Sequence, residues 1–217
     1  NDIVDSTNYV LLDIGQPTHA FDANSLRGGT IEVRAAQKGE KFTTLDEVER
    51  TLEANDLVIA DGERAVALAG VMGGLDTEVT DSTTRILLES AVFHPTRIRR
   101  TAQRLALRSE ASTRFEKSLD PAYTDQATAR FCNLLLSMRT DATVVAAPQV
   151  KGESKAPETV VQLDPERTAV LLGIDLDRTA ISGTLSRLGF GVEDQGKELA
   201  VSVPSWRATK DVTMAID

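Results

Sequence analysis

Few side chains in this sequence can move a proton near neutral pH, and each stands in a distinctive setting. The chain of 217 residues has two histidines. His19 lies in GQPTHAFD (15–22), pinned between a Gly-Gln-Pro turn and a phenylalanine. That setting suits either packing or chemistry. Glu89 lies in ILLESA (86–91), where an ionised carboxylate is costly unless something hydrogen-bonds it. Strand alternation also allows the ordinary outcome, a carboxylate pointing to solvent. ALAGVMGG (67–74) places three glycines at the end of an apolar run, so backbone N–H groups there can approach a ligand closely. The alternative is a glycine-rich strand end that simply has to turn.

Other chemistries fit poorly. No Lys-Ser or Lys-Thr follows the glycines, and the next residues, LDTEVTD, are acidic, which argues against a nucleotide phosphate loop. His19 and His94 are not spaced as a metal-ligand pair, and there is no His-Glu-x-x-His segment. Ser90 lacks a Gly-x-Ser-x-Gly context. Cys132, the only cysteine, stands beside Phe131 on an apolar helix face, where a thiol usually fills space.

The composition is that of a globular protein, 41% hydrophobic and 26% charged, with aromatics at 4%, so the core must rest on Leu, Val, Ile and Ala. A single cysteine excludes an internal disulfide and fits a reducing compartment, so a cytoplasmic location is expected. No apolar run approaches the roughly 20 residues of a membrane span, and the first residues lack the basic and apolar regions of an export signal, so no membrane partner is expected. The net charge of −9 opposes broad adhesion to nucleic acid. Any such contact must be local. One stretch qualifies, because His94 to Lys117 carries Arg97, Arg99, Arg100, Arg104, Arg108, Arg114 and Lys117 against only Glu110 and Glu116. A solvated basic helix face explains this run equally simply.

The elements that must position these residues follow from pattern. DSTNYVLLDIG predicts a short helix, with Asp5 or Ser6 as cap and Gly15 as its end. From Thr30 to Ala91 the runs IEVRAA, KFTTL, RTLE, DLVIA, AVALAG and RILLESAVF predict strands and turns, with a hairpin around Asp61-Gly62. HPTRIRRTAQRLAL predicts a helix with Pro95 in its first turn. A second helix is expected from about Pro121 to Met138, with Ala127, Phe131, Leu134, Leu135 and Met138 on one face. Polar PQVKGESKAPE (148–158) reads as a linker. Beyond it come a strand, TVVQL, helical segments around ERTAVLLG and RTAISGTLSRLG, and a hairpin from GFGVED to LAVSVP turning at Gln195-Gly196. The fold class is α/β (α+β), a sheet-rich layered domain followed by a small winged-helix-like module.

VDSTNYVLLDIGQPTHAFD, ALAGVMGG, LLESAVFHPTRIRRTAQRLALRSEASTRFEKSLDP and VPSWRATKDVTMAID, taken in order, closely resemble segments of the bacterial phenylalanyl-tRNA synthetase beta subunit family. The resemblance covers nearly the whole chain. It implies an internal fragment of a longer subunit, with an N-terminally incomplete editing domain over 1–147, the linker, and a C-terminally truncated winged-helix-like structural module over 159–217. It also implies editing hydrolysis of mischarged Tyr-tRNA(Phe), needed because an apolar pocket cannot strongly reject a ligand that merely adds a hydroxyl. By motif position, Glu89 matches the tyrosine-selecting carboxylate. Ala69 and Gly70 match pocket walls, Ala111 a small residue leaving room for the ring, and Ser109 a neighbour of that pocket. Thr7, Asn8 and His19 match polar groups near the scissile ester and terminal adenosine. Arg104, Arg108 and Arg114 become candidate tRNA contacts.

The same resemblance implies tRNA(Phe) and the alpha subunit as partners, in an alpha2-beta2 heterotetramer of the whole enzyme. Aminoacylation, with its ATP and Mg2+, would belong elsewhere in that enzyme, and editing would need no cofactor. Asp211 and Asp217 match acids associated with magnesium, but the Glu pair that accompanies them in the family is absent, and two carboxylates alone hold that ion poorly. Thr18 departs from the family's common Leu, Ser109 from a frequent Thr, and KSLDP from RGVDP. The alternative from another functional class is a non-catalytic assembly and tRNA-docking scaffold. A DNA-binding regulator would need a basic recognition helix, which RTAISGTLSRLG does not supply.

Overall fold

The computed structural model describes residues 1–152, 158–209 and 211–217. It is a mixed helix-and-sheet fold with several antiparallel sheets, divided into two compact units, Asn1–Ser154 and Lys155–Asp217. Residues 153–157 of the expected linker lie outside the described residues, and 148–152 have no helix or strand.

The first unit opens with α1 (Asp2–Ile14). Its cap is Asn1, whose side chain accepts from the Val4 N–H at 3.0 Å. Asp5 and Ser6 lie one turn inside, and the Ser6 hydroxyl instead donates to the Asp2 carbonyl, which corrects the predicted cap. Gly15 ends the helix in the left-handed conformation, with its N–H on the Leu11 carbonyl. Next comes β1 (Thr18–Asp22), a strand that the sequence pattern did not indicate.

The remaining strands are β2 (Glu32–Ala35), β3 (Lys41–Thr43), β4 (Glu49–Thr51), β5 (Leu57–Ala60), β6 (Ala65–Leu68), β7 (Met72–Gly73) and β8 (Ile86–Ser90), with a 3-10 turn at Leu75–Thr77. Strands β2-β5-β6-β7 form one sheet, β3-β4 a second, and β1-β8 a third. The predicted hairpin is β5–β6. Its loop is organised by buried Asp61, which accepts from the N–H groups of Glu63, Arg64 and Arg27.

Helix α2 (Pro95–Arg104) begins at its proline as expected. It is followed by an unpredicted short helix, α3 (Glu110–Phe115), capped by Ser109, and then by α4 (Tyr123–Met138). On α4 the inner face is buried at Ala127 and Phe131, whereas Met138, expected on that face, is exposed. The main core gathers Phe21, Phe42, Leu52, Ile59, Leu68, Ile98 and Phe115. A second cluster joins α1 to α4 through Val10, Ala127 and Phe131, with Ile86, Leu88 and Cys132 packed against it. Burial pushes the Cys132 thiol up, in keeping with a space-filling role.

The second unit runs β9 (Thr159–Leu163), α5 (Pro165–Leu172), α6 (Arg178–Arg187), β10 (Gly191–Asp194), β11 (Leu199–Val203) and α7 (Ser205–Ala208). Its sheet has the order β10-β11-β9, antiparallel throughout. Gly196 takes φ 87° in the hairpin turn. Its own core contains Ile181, Phe190, Leu199 and Val201. No described helix is long and apolar enough to cross a membrane.

Candidate active site

The β1–β8 pair sets the site. In its antiparallel register His19 stands directly opposite Glu89, and opposed residues project to the same face. Seventy residues of sequence separate two side chains that this pairing makes neighbours. Both line a cleft of about 90 Å³, together with Gly70, Met72, Ala111 and Phe115. By that measure the space holds several waters or part of a small ring.

Two contacts fix the imidazole. Its edge meets the Phe21 ring at 4.5 Å between centroids and 83° between planes. Its other flank rests on Gly73, where an added Cβ would come within 2.5 Å of Cε1 and 2.7 Å of Nε2. Gly73 thus belongs to the candidate site, a position that the glycine-rich motif marked in outline only. Gly70 is constrained twice. It has φ +66°, and a Cβ there would meet Phe93 at 2.9 Å and Phe115 at 3.0 Å.

Neighbouring residues hold the walls in place. The Ser109 hydroxyl donates to the Val71 carbonyl at 2.6 Å and accepts from the Ser112 N–H at 3.1 Å. It ties α3, which carries Ala111, to the glycine loop. Gln16, fully buried, donates from Nε2 to the carbonyls of Pro17 and Ala91, clamping the chain before β1 to the chain after β8. Neither contact shows in the sequence as more than a polar residue near a turn.

Electrostatically the cleft is unusual because its two ionisable groups are unpaired. Neither His19 nor Glu89 takes part in an ion pair among the described residues. Burial lowers His19 to about 4 and raises Glu89 to about 8, because a poorly hydrated site disfavours either charge. At pH 7 the imidazole is neutral and most of the carboxyl is protonated. Each keeps part of its surface open to the cleft.

The other residues singled out in the sequence lie elsewhere. Ala69 is 1% exposed and packs in the main core behind the cleft. Thr7 and Asn8 are on α1 and do not line the cleft; the Thr7 hydroxyl donates to the Val4 carbonyl. Arg104 is paired with Asp56 and Glu53, Arg108 with Glu116, and Arg114 with Glu110. Asp211 pairs with Arg207. Asp217 accepts from the Thr213 N–H and hydroxyl and from the Met214 N–H. No group of three or more metal-binding side chains occurs among the described residues, so this donor set does not fit a magnesium site.

Comparison with known proteins places the chain. Residues 1–140 match the profile described as the B3/4 domain. The chain belongs to the B3/4 domain family. Residues 161–217 match a second profile, the tRNA synthetase B5 domain. The phenylalanine–tRNA ligase beta subunit of Gloeobacter violaceus is 47% identical over 217 residues, covering 100% of this chain and 27% of that protein. Its namesake in Nitratidesulfovibrio vulgaris is 46% identical over 211 residues, covering 96% and 25%. The chain therefore spans about a quarter of the length of these relatives, which are subunits of a ligase. A crystal structure of an N-terminal fragment of the phenylalanyl-tRNA synthetase beta subunit from Pyrococcus horikoshii aligns with 99% of this chain and 62% of that one, at 15% identity and a TM-score of 0.47. The cleft lies wholly within the B3/4 unit.

Proposed function

We propose that the B3/4 unit hydrolyses the ester of mischarged Tyr-tRNA(Phe), as the editing domain of a phenylalanine–tRNA ligase beta subunit, and that the B5 unit is a winged-helix-like structural module. The observation that carries this reading is the convergence of Glu89, His19, Gly70 and Ala111 on one cleft. Tyrosine differs from phenylalanine by one hydroxyl, so selection must act on that group. A protonated Glu89 can donate its O–H to the phenolic oxygen and accept the phenolic O–H on its carbonyl oxygen. Phenylalanine leaves both positions unmet in a poorly hydrated site. Gly70 and Ala111, with no bulk beyond Cβ, leave space for the ring.

His19 is suited to orienting rather than to taking up a proton. A neutral imidazole has one donor and one acceptor nitrogen, and a value near 4 makes it a weak base. It can hold a water against the ester carbonyl. The water oxygen bonds to the carbonyl carbon, the ester C–O bond breaks, and the ribose oxygen leaves with a proton. The products are tyrosine and uncharged tRNA. Chemistry of this kind needs no cofactor; ATP and Mg2+ would serve aminoacylation elsewhere in the whole enzyme. The partners on this reading are tRNA(Phe) and the alpha subunit of an alpha2-beta2 enzyme in the cytoplasm, with no DNA partner.

The deciding experiment is deacylation of Tyr-tRNA(Phe) by the chain and by its His19→Ala variant. Acceleration over buffer is expected, with the variant slower by up to about 10²-fold, the scale of lost positioning of a reacting group. No acceleration, or an equal rate in a well-folded variant, would count against the reading. A non-catalytic scaffold is the second reading, favoured by the exposed Val170, Leu171, Leu172 and Ile174 of the B5 unit. It predicts alpha-subunit binding with no deacylation at all.

A further inference from the structure

Helix α2 has arginines at 97, 99, 100 and 104 and no acid. Its inner side, Ile98, Thr101 and Ala102, is buried. Ile98 reaches the back of the cleft, 3.2 Å from where a Gly70 Cβ would stand. The four arginines divide into two kinds. Arg104 is held by Asp56, which also accepts from the Thr101 hydroxyl at 2.7 Å, so it fastens the helix to the loop before β5. Arg97, Arg99 and Arg100 are exposed. None of the three has a carboxylate within 4.0 Å among the described residues, whereas Arg108 and Arg114 each have one at 2.8 and 2.6 Å.

Exposed Arg85, Arg167 and Arg187 also have no carboxylate within 4.0 Å among the described residues, but each stands singly, whereas α2 gathers three such arginines on one element. On a regular helix, positions 97, 99 and 100 fan across the half opposite Ile98, Thr101 and Ala102, so the three guanidiniums cover the outer surface of the element that backs the cleft. A guanidinium presents a planar fork that matches phosphate oxygens. An unpaired one meets a phosphate without first giving up a carboxylate.

We propose that Arg97, Arg99 and Arg100 form an RNA-phosphate docking surface for the acceptor stem of a tRNA, on the side of α2 turned away from the His19–Glu89 cleft, in place of the carboxylate-paired Arg104, Arg108 and Arg114. The identity of the RNA rests on the proposed function; the cationic surface does not.

The test is binding of a fluorescent acceptor-stem minihelix to the full chain across a salt series. Three variants are compared with it: the triple R97A/R99A/R100A, the double R108A/R114A, and, for charge without the guanidinium fork, the triple R97K/R99K/R100K. The alanine triple is expected to bind about tenfold more weakly, and its slope of log K against log salt to flatten by about two to three, one lost counterion per phosphate contact. The lysine triple keeps most of the slope and loses part of the affinity. The double variant keeps both, and all three variants melt close to the parent. An unchanged slope in the alanine triple would overturn the proposal. So would loss of poly-glutamate binding with minihelix binding intact, which would assign the patch to an acidic protein surface. Hydrolysis of tyrosine ethyl ester by the unaltered chain reads the cleft without RNA, so absence of hydrolysis would refute the proposed function while the salt slope still decides the docking surface.

Discussion

The B3/4 unit has two clefts that share strand β6 and treat charge in opposite ways. The larger, about 450 Å³, is lined by six charged side chains, Arg34, Glu40, Lys41, Glu63, Arg64 and Asp76. Every one of them is in an ion pair: Arg34 with Glu40, Lys41 with Glu49, Arg27 with Glu63, Arg64 with Asp76. The smaller cleft, about 90 Å³, has two ionisable groups and no pair. Volume alone would single out the larger cleft. A paired surface charge contributes about 0–1 kcal/mol and is satisfied where it stands. An unpaired, poorly hydrated acid and imidazole facing each other are unsatisfied until a ligand arrives, and such groups concentrate at functional sites.

Adjacent glycines separate the two clefts and give the sharpest test of the contrast. Gly73 underlies the His19 ring, whereas a Cβ at Gly74 would stand 2.6 Å from the Val66 carbonyl oxygen and 2.9 Å from the Phe42 ring. A side chain can swing aside and a backbone carbonyl cannot. Gly73→Ala is therefore expected to slow Tyr-tRNA(Phe) deacylation about 10²-fold by displacing the imidazole. Gly74→Ala is expected to act on stability, by about 1–3 kcal/mol of overpacking, which for this size is roughly 2–4 °C of Tm per kcal/mol. If Gly73→Ala lost only stability and Gly74→Ala only activity, the assignment of the clefts would be reversed.

A smaller effect tests the missing pairing directly. Glu89 is held at about 8, above its ordinary value, so the folded state retains a proton that the unfolded chain releases. Its contribution to stability is present below about pH 4.5 and is lost as pH rises towards about 8. Glu89→Gln removes this loss. Its Tm relative to the parent is expected to rise by a few °C between pH 5 and pH 8. His19, lowered to about 4, acts in the opposite direction, and the stability it contributes is lost as pH falls from 6.5 towards 4 in parent and variant alike. A Tm difference independent of pH would show that Glu89 titrates normally.

Much of this organisation was legible in the sequence. Gly15, Pro95, the Asp61-Gly62 turn and Gln195-Gly196 mark element ends through local backbone chemistry, and the structure puts ends there. What was not legible depends on distant partners. THAFD has too little alternation to announce a strand; it becomes one because β8 pairs with it from 64 to 72 residues away. The opposition of His19 and Glu89 has the same non-local origin. Helix α3 is too short for a periodic signal and depends on the Ser109–Ser112 capping box. The basic run gave its charge plainly but could not reveal which arginines have carboxylate partners.

The smallest prediction concerns Thr18, where the resemblance led one to expect Leu. Its hydroxyl is buried with no hydrogen-bond partner among the described residues; the residue stands at the rim of the cleft, on the strand face shared with Ala20 and Leu88 rather than with His19. Thr18→Val keeps the shape and removes the orphaned group, so a gain of about 1 kcal/mol is expected, with deacylation unchanged. A loss of activity would place that hydroxyl in the cleft's chemistry.

The most direct measurement is the ratio of deacylation rates for tyrosyl- and phenylalanyl-tRNA(Phe), taken for the parent and for Glu89→Ala under the same conditions. An unmet polar group in a poorly hydrated site costs about 1–3 kcal/mol, which corresponds to a roughly 5- to 150-fold fall in the ratio when Glu89 is removed. That fall, in a variant that melts no lower than the parent, is the predicted result. An unchanged ratio in a well-folded variant would contradict tyrosine selection by the His19–Glu89 cleft.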